Sequence, residues 1–109
     1  MKKILIILLA LTLLGCGATG MATVNTNYDS FAKCLTEKGV TMYGAFWCSH
    51  CQDQKKMFGD SVQYIKYVEC TQDPCEDIKG YPTWKFPNGQ RIEGTATFEE
   101  ISKESGCAI

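Results

Sequence analysis

The apolar run Met42-Tyr43-Gly44-Ala45-Phe46-Trp47, ending on Cys48-Ser49-His50-Cys51, constrains this chain more than any other stretch. Val40 to Phe46 reads as a buried strand, and the polar, Lys-rich residues after Cys51 read as a helix, so two cysteines mark a strand-to-helix junction. A helix beginning at Cys48 sets that sulfur beside unpaired N–H groups and the positive end of the helix dipole, which favours the thiolate, the reactive form. Cys51, three residues on, stands on the same face within bonding distance. This spacing points to dithiol and disulfide exchange, in which one cysteine attacks and the other resolves. An imidazolium at His50 would further stabilise the Cys48 thiolate and make the disulfide a stronger oxidant. The plainer reading of His50 is a solvated helix residue.

The chain has 109 residues, enough for one domain with a modest core. It opens with Lys2 and Lys3 and continues through Ile4 to Leu14, apolar apart from Thr12 and too short to span a bilayer. This pattern is that of a secretory leader. Leu13-Leu14-Gly15-Cys16 resembles a bacterial lipobox, which makes residues 1–15 a signal peptide and Cys16 a lipidated N-terminus. Two or more acyl chains there would anchor the protein stably. Ordinary signal-peptidase cleavage near Ala18 or Ala22, leaving a soluble protein, is the alternative. Residues 16–27 read as a flexible tether, and 28–109 as the folded domain. Without Lys2 and Lys3, nine of the 11 basic residues face 12 acidic ones, a balance that offers nucleic acid no basic surface.

Seven cysteines become six if Cys16 carries lipid, and an exported chain is expected to pair them. Beyond Cys48 and Cys51, the preferred pairing joins Cys70 to Cys75 and Cys34 to Cys107. Four cysteines admit three connectivities, and position along the chain does not exclude the other two.

Asp29 or Ser30 can cap a first helix bearing Phe31, Cys34 and Leu35, stopped by Gly39. After the strand, the Cys48 helix should run to about Phe58 and stop at Gly59. Tyr64-Ile65-Lys66-Tyr67-Val68-Glu69 reads as a second strand. Asp73-Pro74 reads as the capped start of a short helix that Gly80 ends. Thr83 to Phe86 and Gln90 to Glu93 flank Pro87-Asn88-Gly89 as a hairpin. Thr97 and Glu100 form a capping box for a last helix ending at Gly106. Lys55 and Lys56 are most simply a solvated helix face. Phe46, Trp47, Tyr81 and Trp84 could collar the cysteines, although aromatic residues at such positions more often belong to a core.

This order, with Tyr81-Pro82-Thr83 just before the hairpin, implies an α/β, thioredoxin-like fold: a central mixed sheet of about four strands flanked by helices. Phe46-Trp47-Cys48-Ser49-His50-Cys51 with Gly80-Tyr81-Pro82-Thr83-Trp84 resembles the thioredoxin-like domain fused to, or working beside, vitamin K epoxide reductase homologues of bacteria and archaea. The resemblance runs from about Phe31 to Cys107 and takes in Met42 to Ala45, Gln52 to Gly59, Tyr67-Val68-Glu69-Cys70 and Ser105-Gly106. It implies a cis peptide before Pro82, packed against the two sulfurs, with the Tyr81 backbone offered to an extended substrate segment. It further implies reoxidation by a membrane quinone reductase of the vitamin K epoxide reductase type. Met42 is a departure: thioredoxins proper carry there an acid that moves the resolving thiol's proton. A proton acceptor for Cys51 is therefore unassigned. The spacing from Cys70 to Cys75 is also shorter than in many relatives.

The expectation is an exported thiol:disulfide oxidoreductase on the outer face of a bacterial membrane, monomeric, without cofactor or metal, acting on protein thiols and disulfides. Cys48, Cys51, His50 and Pro82 would carry the chemistry, and Trp47 and Tyr81 would touch substrate. An exported reductase or isomerase uses the same residues. Of different class are a zinc site on Cys48, Cys51, Cys70 and Cys75, and a binding module merely stapled by its six cysteines.

Overall fold

The computed structural model describes residues 27–109. The proposed signal peptide, the lipid site Cys16 and almost all of the tether lie outside the described residues. Helix α1 (Asp29–Glu37) leads into strand β1 (Thr41–Gly44), helix α2 (Ser49–Phe58), a 3₁₀ segment (Gly59–Tyr64) and strand β2 (Lys66–Glu69). Strands β3 (Thr83–Lys85) and β4 (Arg91–Glu93) and helix α3 (Phe98–Ser105) complete the order. The sheet runs β2-β1-β3-β4. β1 lies parallel to β2, with Met42 opposite Tyr67 and Gly44 opposite Glu69, and antiparallel to β3, with Met42 opposite Trp84. This four-stranded mixed sheet with its three helices is a thioredoxin-like fold. Among the described residues no helix is long and apolar enough to cross a membrane.

Local signals explain most boundaries. Thr97 accepts the Glu100 N–H while the Glu100 carboxylate accepts the Thr97 N–H, so the capping box forms. Gly106 ends α3 at φ 80°, where a left-handed residue satisfies the last carbonyls. The hairpin closes through Gly89 N–H to Phe86 O (2.9 Å) and Phe86 N–H to Gln90 O (2.9 Å). β1 stops at Gly44, short of the buried strand expected to reach Phe46, which lies exposed in the turn that follows. Three further expectations are corrected. α1 begins after Tyr28, whose side chain makes no cap bond, and Asp29 lies inside the first turn with its N–H on Asn27 Oδ1 at 3.0 Å. β2 starts only at Lys66, because the 3₁₀ segment takes up Tyr64.

The third concerns 73–80, which holds turns rather than a short helix. Cys70 and Cys75 are joined by a disulfide only five residues long, and the N–H groups of Gln72 and Asp73 both turn back to Glu69 O. Asp77 is then drawn to the β3–β4 hairpin by Lys85 (2.9 Å) and Arg91 (2.6 Å). These ties outcompete the helical path that Asp73-Pro74 would start.

The core joins the helices to one another and to the sheet through aromatic rings. Phe58 of α2 lies 4.8 Å from Phe98 of α3, and Phe31 of α1 lies 5.3 Å from Phe98. Trp84, expected either at the active cysteines or in the core, is wholly buried against Phe58. A disulfide between Cys34 and Cys107 ties α1 to the segment after α3.

Candidate functional site

The β1–α2 junction is clamped before it reaches the first cysteine. Phe46 donates its N–H to Glu69 Oε2 (2.9 Å) and its carbonyl accepts from Gln52 Nε2 (2.9 Å). Cys48 N–H then bonds Ala45 O (3.0 Å). Cys48 is the N-cap of α2, one residue before its first turn, and its Sγ accepts the Cys51 N–H at 3.2 Å. A cap acceptor at a helix N-terminus is where negative charge is favoured.

The two cysteines are unbonded thiols of unequal access: Cys48 retains 7% of its surface and Cys51 none. An incoming sulfur can therefore reach Cys48 and not Cys51. Burial pushes the Cys51 thiol up to about 11, with the hydrogen bond to Cys48 adding to the effect. Cys51 is thus held as a neutral thiol beneath an accessible partner.

The opposite wall comes from the loop before β3. The Tyr81–Pro82 peptide is cis, and the Cys48 thiol points at Tyr81 O at 3.6 Å. Thr83 Oγ1 to Gly80 O (2.8 Å) and Gly94 N–H to Pro82 O (2.7 Å) hold this loop. Between the walls lies an open cleft of about 450 Å³, lined by Trp47, Cys48, Ser49 and His50 on one side and Lys79, Gly80 and Tyr81 on the other. Trp47 is 62% exposed and meets Tyr81 edge to face at 5.9 Å. Phe46, beside it, is 66% exposed.

The structure thus brings together Cys48, Cys51, His50, Trp47, Tyr81 and Pro82. It sets the Cys34–Cys107 and Cys70–Cys75 disulfides apart from them. Because Cys70 and Cys75 are bonded to each other, they offer no thiolates to a zinc ion beside Cys48 and Cys51. Sequence reasoning missed Lys79 and Gly80 on the cleft, and Tyr67, Glu69 and Lys55 behind it. Lys55, expected in solvent, places Nζ 3.6 Å from the centroid of the Tyr67 ring. Strand alternation was the available signal, since Tyr67 and Glu69 are two residues apart and must share a face.

Fold and site together make this a thioredoxin-like protein with a free dithiol at the start of its second helix. The chain is 38% identical over 93 residues to the Thiol-disulfide oxidoreductase LTO1 of Arabidopsis thaliana, covering 73% of this chain and 24% of that protein. It is 32% identical over 94 residues to the Thioredoxin domain-containing protein 5 homolog of Drosophila melanogaster, covering 72% of this chain and 22% of that one. The match therefore spans about a quarter of the length of these curated relatives. No protein-family model matches the chain.

Proposed function

We propose that this protein is an exported thiol:disulfide oxidoreductase that oxidises substrate thiols through Cys48 and Cys51. The observation that carries the reading is the unequal access of the two sulfurs: Cys48 opens on the cleft and Cys51 is sealed behind it. In the oxidising direction a substrate thiolate attacks Cys48 of the disulfide, and Cys51 leaves with the electron pair. A second substrate thiolate then attacks the substrate sulfur, releasing Cys48 as thiolate and leaving an oxidised substrate and a reduced pair. Trp47 and Tyr81 would grip an extended substrate segment, with backbone contacts made along Tyr81.

The reduced pair must pass two electrons onward. A membrane quinone reductase of the vitamin K epoxide reductase type is the acceptor we assign, supported by the sequence resemblance alone. A lipid on Cys16 would hold donor and acceptor on one membrane surface at high effective concentration. The basic, apolar leader and the Leu13-Leu14-Gly15-Cys16 motif support that anchoring and an outer-face location.

The reduction potential of the pair, equilibrated against glutathione, tests the direction. A value near that of protein disulfide isomerase, about −180 mV or higher, fits an oxidant. A value near thioredoxin, about −270 mV, would make the protein a reductant and overturn the proposed electron flow.

A further inference from the structure

Closing the Cys48–Cys51 bond requires Cys51 to act as a thiolate, yet its buried thiol is pushed up to about 11. Burial, the largest cause of that rise, acts whatever Cys48 carries, so at neutral pH the thiolate is a minor species. The groups facing Cys51 therefore decide how fast the pair can close.

Gly44 shows which group matters. Its backbone is not among the positive-φ glycines, so the strand does not need glycine here for conformation. A Cβ at Gly44 would lie 2.9 Å from Cys51 Sγ and 3.0 Å from the hydroxyl of Tyr67. The missing side chain is a gap across which thiol and phenol face each other, no farther apart than the sum of those two distances. Tyr67 in turn donates its hydroxyl to Glu69 Oε1 at 2.8 Å. The other carboxylate oxygen accepts from Phe46 N–H (2.9 Å) and Thr71 Oγ1 (2.7 Å). Lys55 covers the ring. The titratable groups around the phenol are thus Cys48 at the cap of α2, Cys51 and Lys55 within that helix, and Glu69 from its own strand.

The protonation states suit a relay. Burial, then the bond to Glu69, holds the Tyr67 phenol well above its ordinary range, so it stays neutral. Hydrogen bonds, first that from Thr71, hold the Glu69 carboxyl below its ordinary range, so it stays ionised. Tyr67 can accept a proton from one side while giving its own to the other. Glu69, at the surface, can then pass a proton to water.

We propose that Tyr67 and Glu69 form the proton path of Cys51, reached across the space that Gly44 leaves open. The proposal rests on the reading of Cys48 and Cys51 as a redox pair. When a thiol compound is disulfide-bonded to Cys48, Cys51 Sγ attacks Cys48 Sγ. The Cys51 proton crosses the gap at Gly44 to the Tyr67 oxygen through a bridging water, as the phenolic proton moves to Glu69 Oε1 and on to solvent. The Cys48–Cys51 bond forms, and the bond from Cys48 to the bound sulfur breaks with its electron pair. The departing thiolate takes a proton from water. Cys51 is oxidised and the departing sulfur is reduced. When a substrate thiolate opens the Cys48–Cys51 disulfide, the same path returns a proton to Cys51.

The test uses the reduced full-length chain mixed with oxidised glutathione, with acid quenching and mass analysis following the Cys48–glutathione mixed disulfide across a series of pH values. Tyr67→Phe keeps the ring under Lys55 and removes the hydroxyl, and Glu69→Gln keeps an acceptor and removes the charge. Both are expected to slow decay of the mixed disulfide by about ten- to a hundred-fold at neutral pH, with the rate recovering as pH rises and hydroxide replaces the relay. Profiles that superimpose on wild type would overturn the proposal, as would equal slowing at every pH, which is the mark of a purely structural role. If Tyr67→Phe does not fold, Glu69→Gln at the surface decides by the same criteria. A wild-type mixed disulfide that never resolves would instead overturn the redox-pair reading, and this proposal with it.

Discussion

The indole N–H of Trp84 ends on the side-chain oxygen of Gln54, 3.0 Å away and with both residues wholly buried. The same oxygen accepts Ala96 N–H at 2.7 Å, and the Gln54 amide donates to Ala96 O at 3.0 Å. One side chain of α2 thereby satisfies three buried groups on β3 and on the segment before α3, and it fixes the helix that carries both cysteines. Gln54→Ala would strand those groups and leave a cavity. A loss of about 3–5 kcal/mol is expected, since each unmet buried partner costs roughly 1–3 kcal/mol. Urea unfolding measures it, and a loss below about 1 kcal/mol would mean that water replaces the amide.

The two disulfides should differ in worth. Cys34–Cys107 closes a separation of 73 residues and Cys70–Cys75 one of five. By loop-closure entropy the first stabilises by about 4 kcal/mol and the second by about 2. Replacing each pair by alanine and comparing denaturant midpoints tests the ranking. Equal losses would show that native-state contacts, not chain entropy, dominate.

Trapping separates the roles of the two sulfurs. Cys48→Ser is expected to abolish turnover, whereas Cys51→Ser leaves the accessible sulfur without its resolving partner and should accumulate a mixed disulfide through Cys48. Non-reducing gels and mass analysis read it. A Cys51→Ser protein that never cross-links would count against the mechanism.

Trp47→Ala should weaken protein substrates and spare small disulfides. Trp47 is largely exposed and touches Tyr81 across the cleft, so it offers apolar surface to a chain and little to the sulfur itself. The expected result is a KM for a reduced, unfolded protein raised about fivefold to tenfold, corresponding to about 1–1.4 kcal/mol of lost contact. The rate with oxidised glutathione should change less than about twofold on the same scale. Equal effects on both would place Trp47 in the chemistry instead.

The reduced protein should lose stability at alkaline pH through Cys51. Its thiol is raised from 9.0 to about 11, chiefly by desolvation. The folded state therefore keeps a proton that the unfolded state has released. This contribution is complete below pH 9.0 and is lost as pH rises to about 11. The full shift corresponds to roughly 2–3 kcal/mol. Unfolding curves of reduced wild type and Cys51→Ser, compared over that window, isolate the effect, and parallel pH dependence in both would remove it.

Much of the site was legible in the chain because its signals are local. The Cys48-x-x-Cys51 spacing, a stop at Gly59, the Thr97–Glu100 box and the turn at Asn88-Gly89 each act over a few residues. Hydrophobic patterning likewise exposed the sheet and the helices around it. The failed helix at 73–80 marks the limit of such reading. Asp73-Pro74 is a sound local start, but a disulfide and two basic side chains from the distant hairpin redirect the chain.

Residue order alone therefore determines the dithiol, its place before a helix and the succession of elements, since these depend on neighbours within a turn or two. Parallel pairing of β1 with β2, across more than twenty intervening residues, is what sets Gly44 opposite Glu69. That pairing opens a gap between Cys51 and the phenol of Tyr67 and lets one carboxylate hold both Tyr67 and the Phe46 N–H. Packing likewise seals Cys51 while leaving Cys48 at the cleft. Burial and electrostatics at a sulfur come from atoms gathered from distant parts of the chain, so the folded arrangement gives the two cysteines their unequal access.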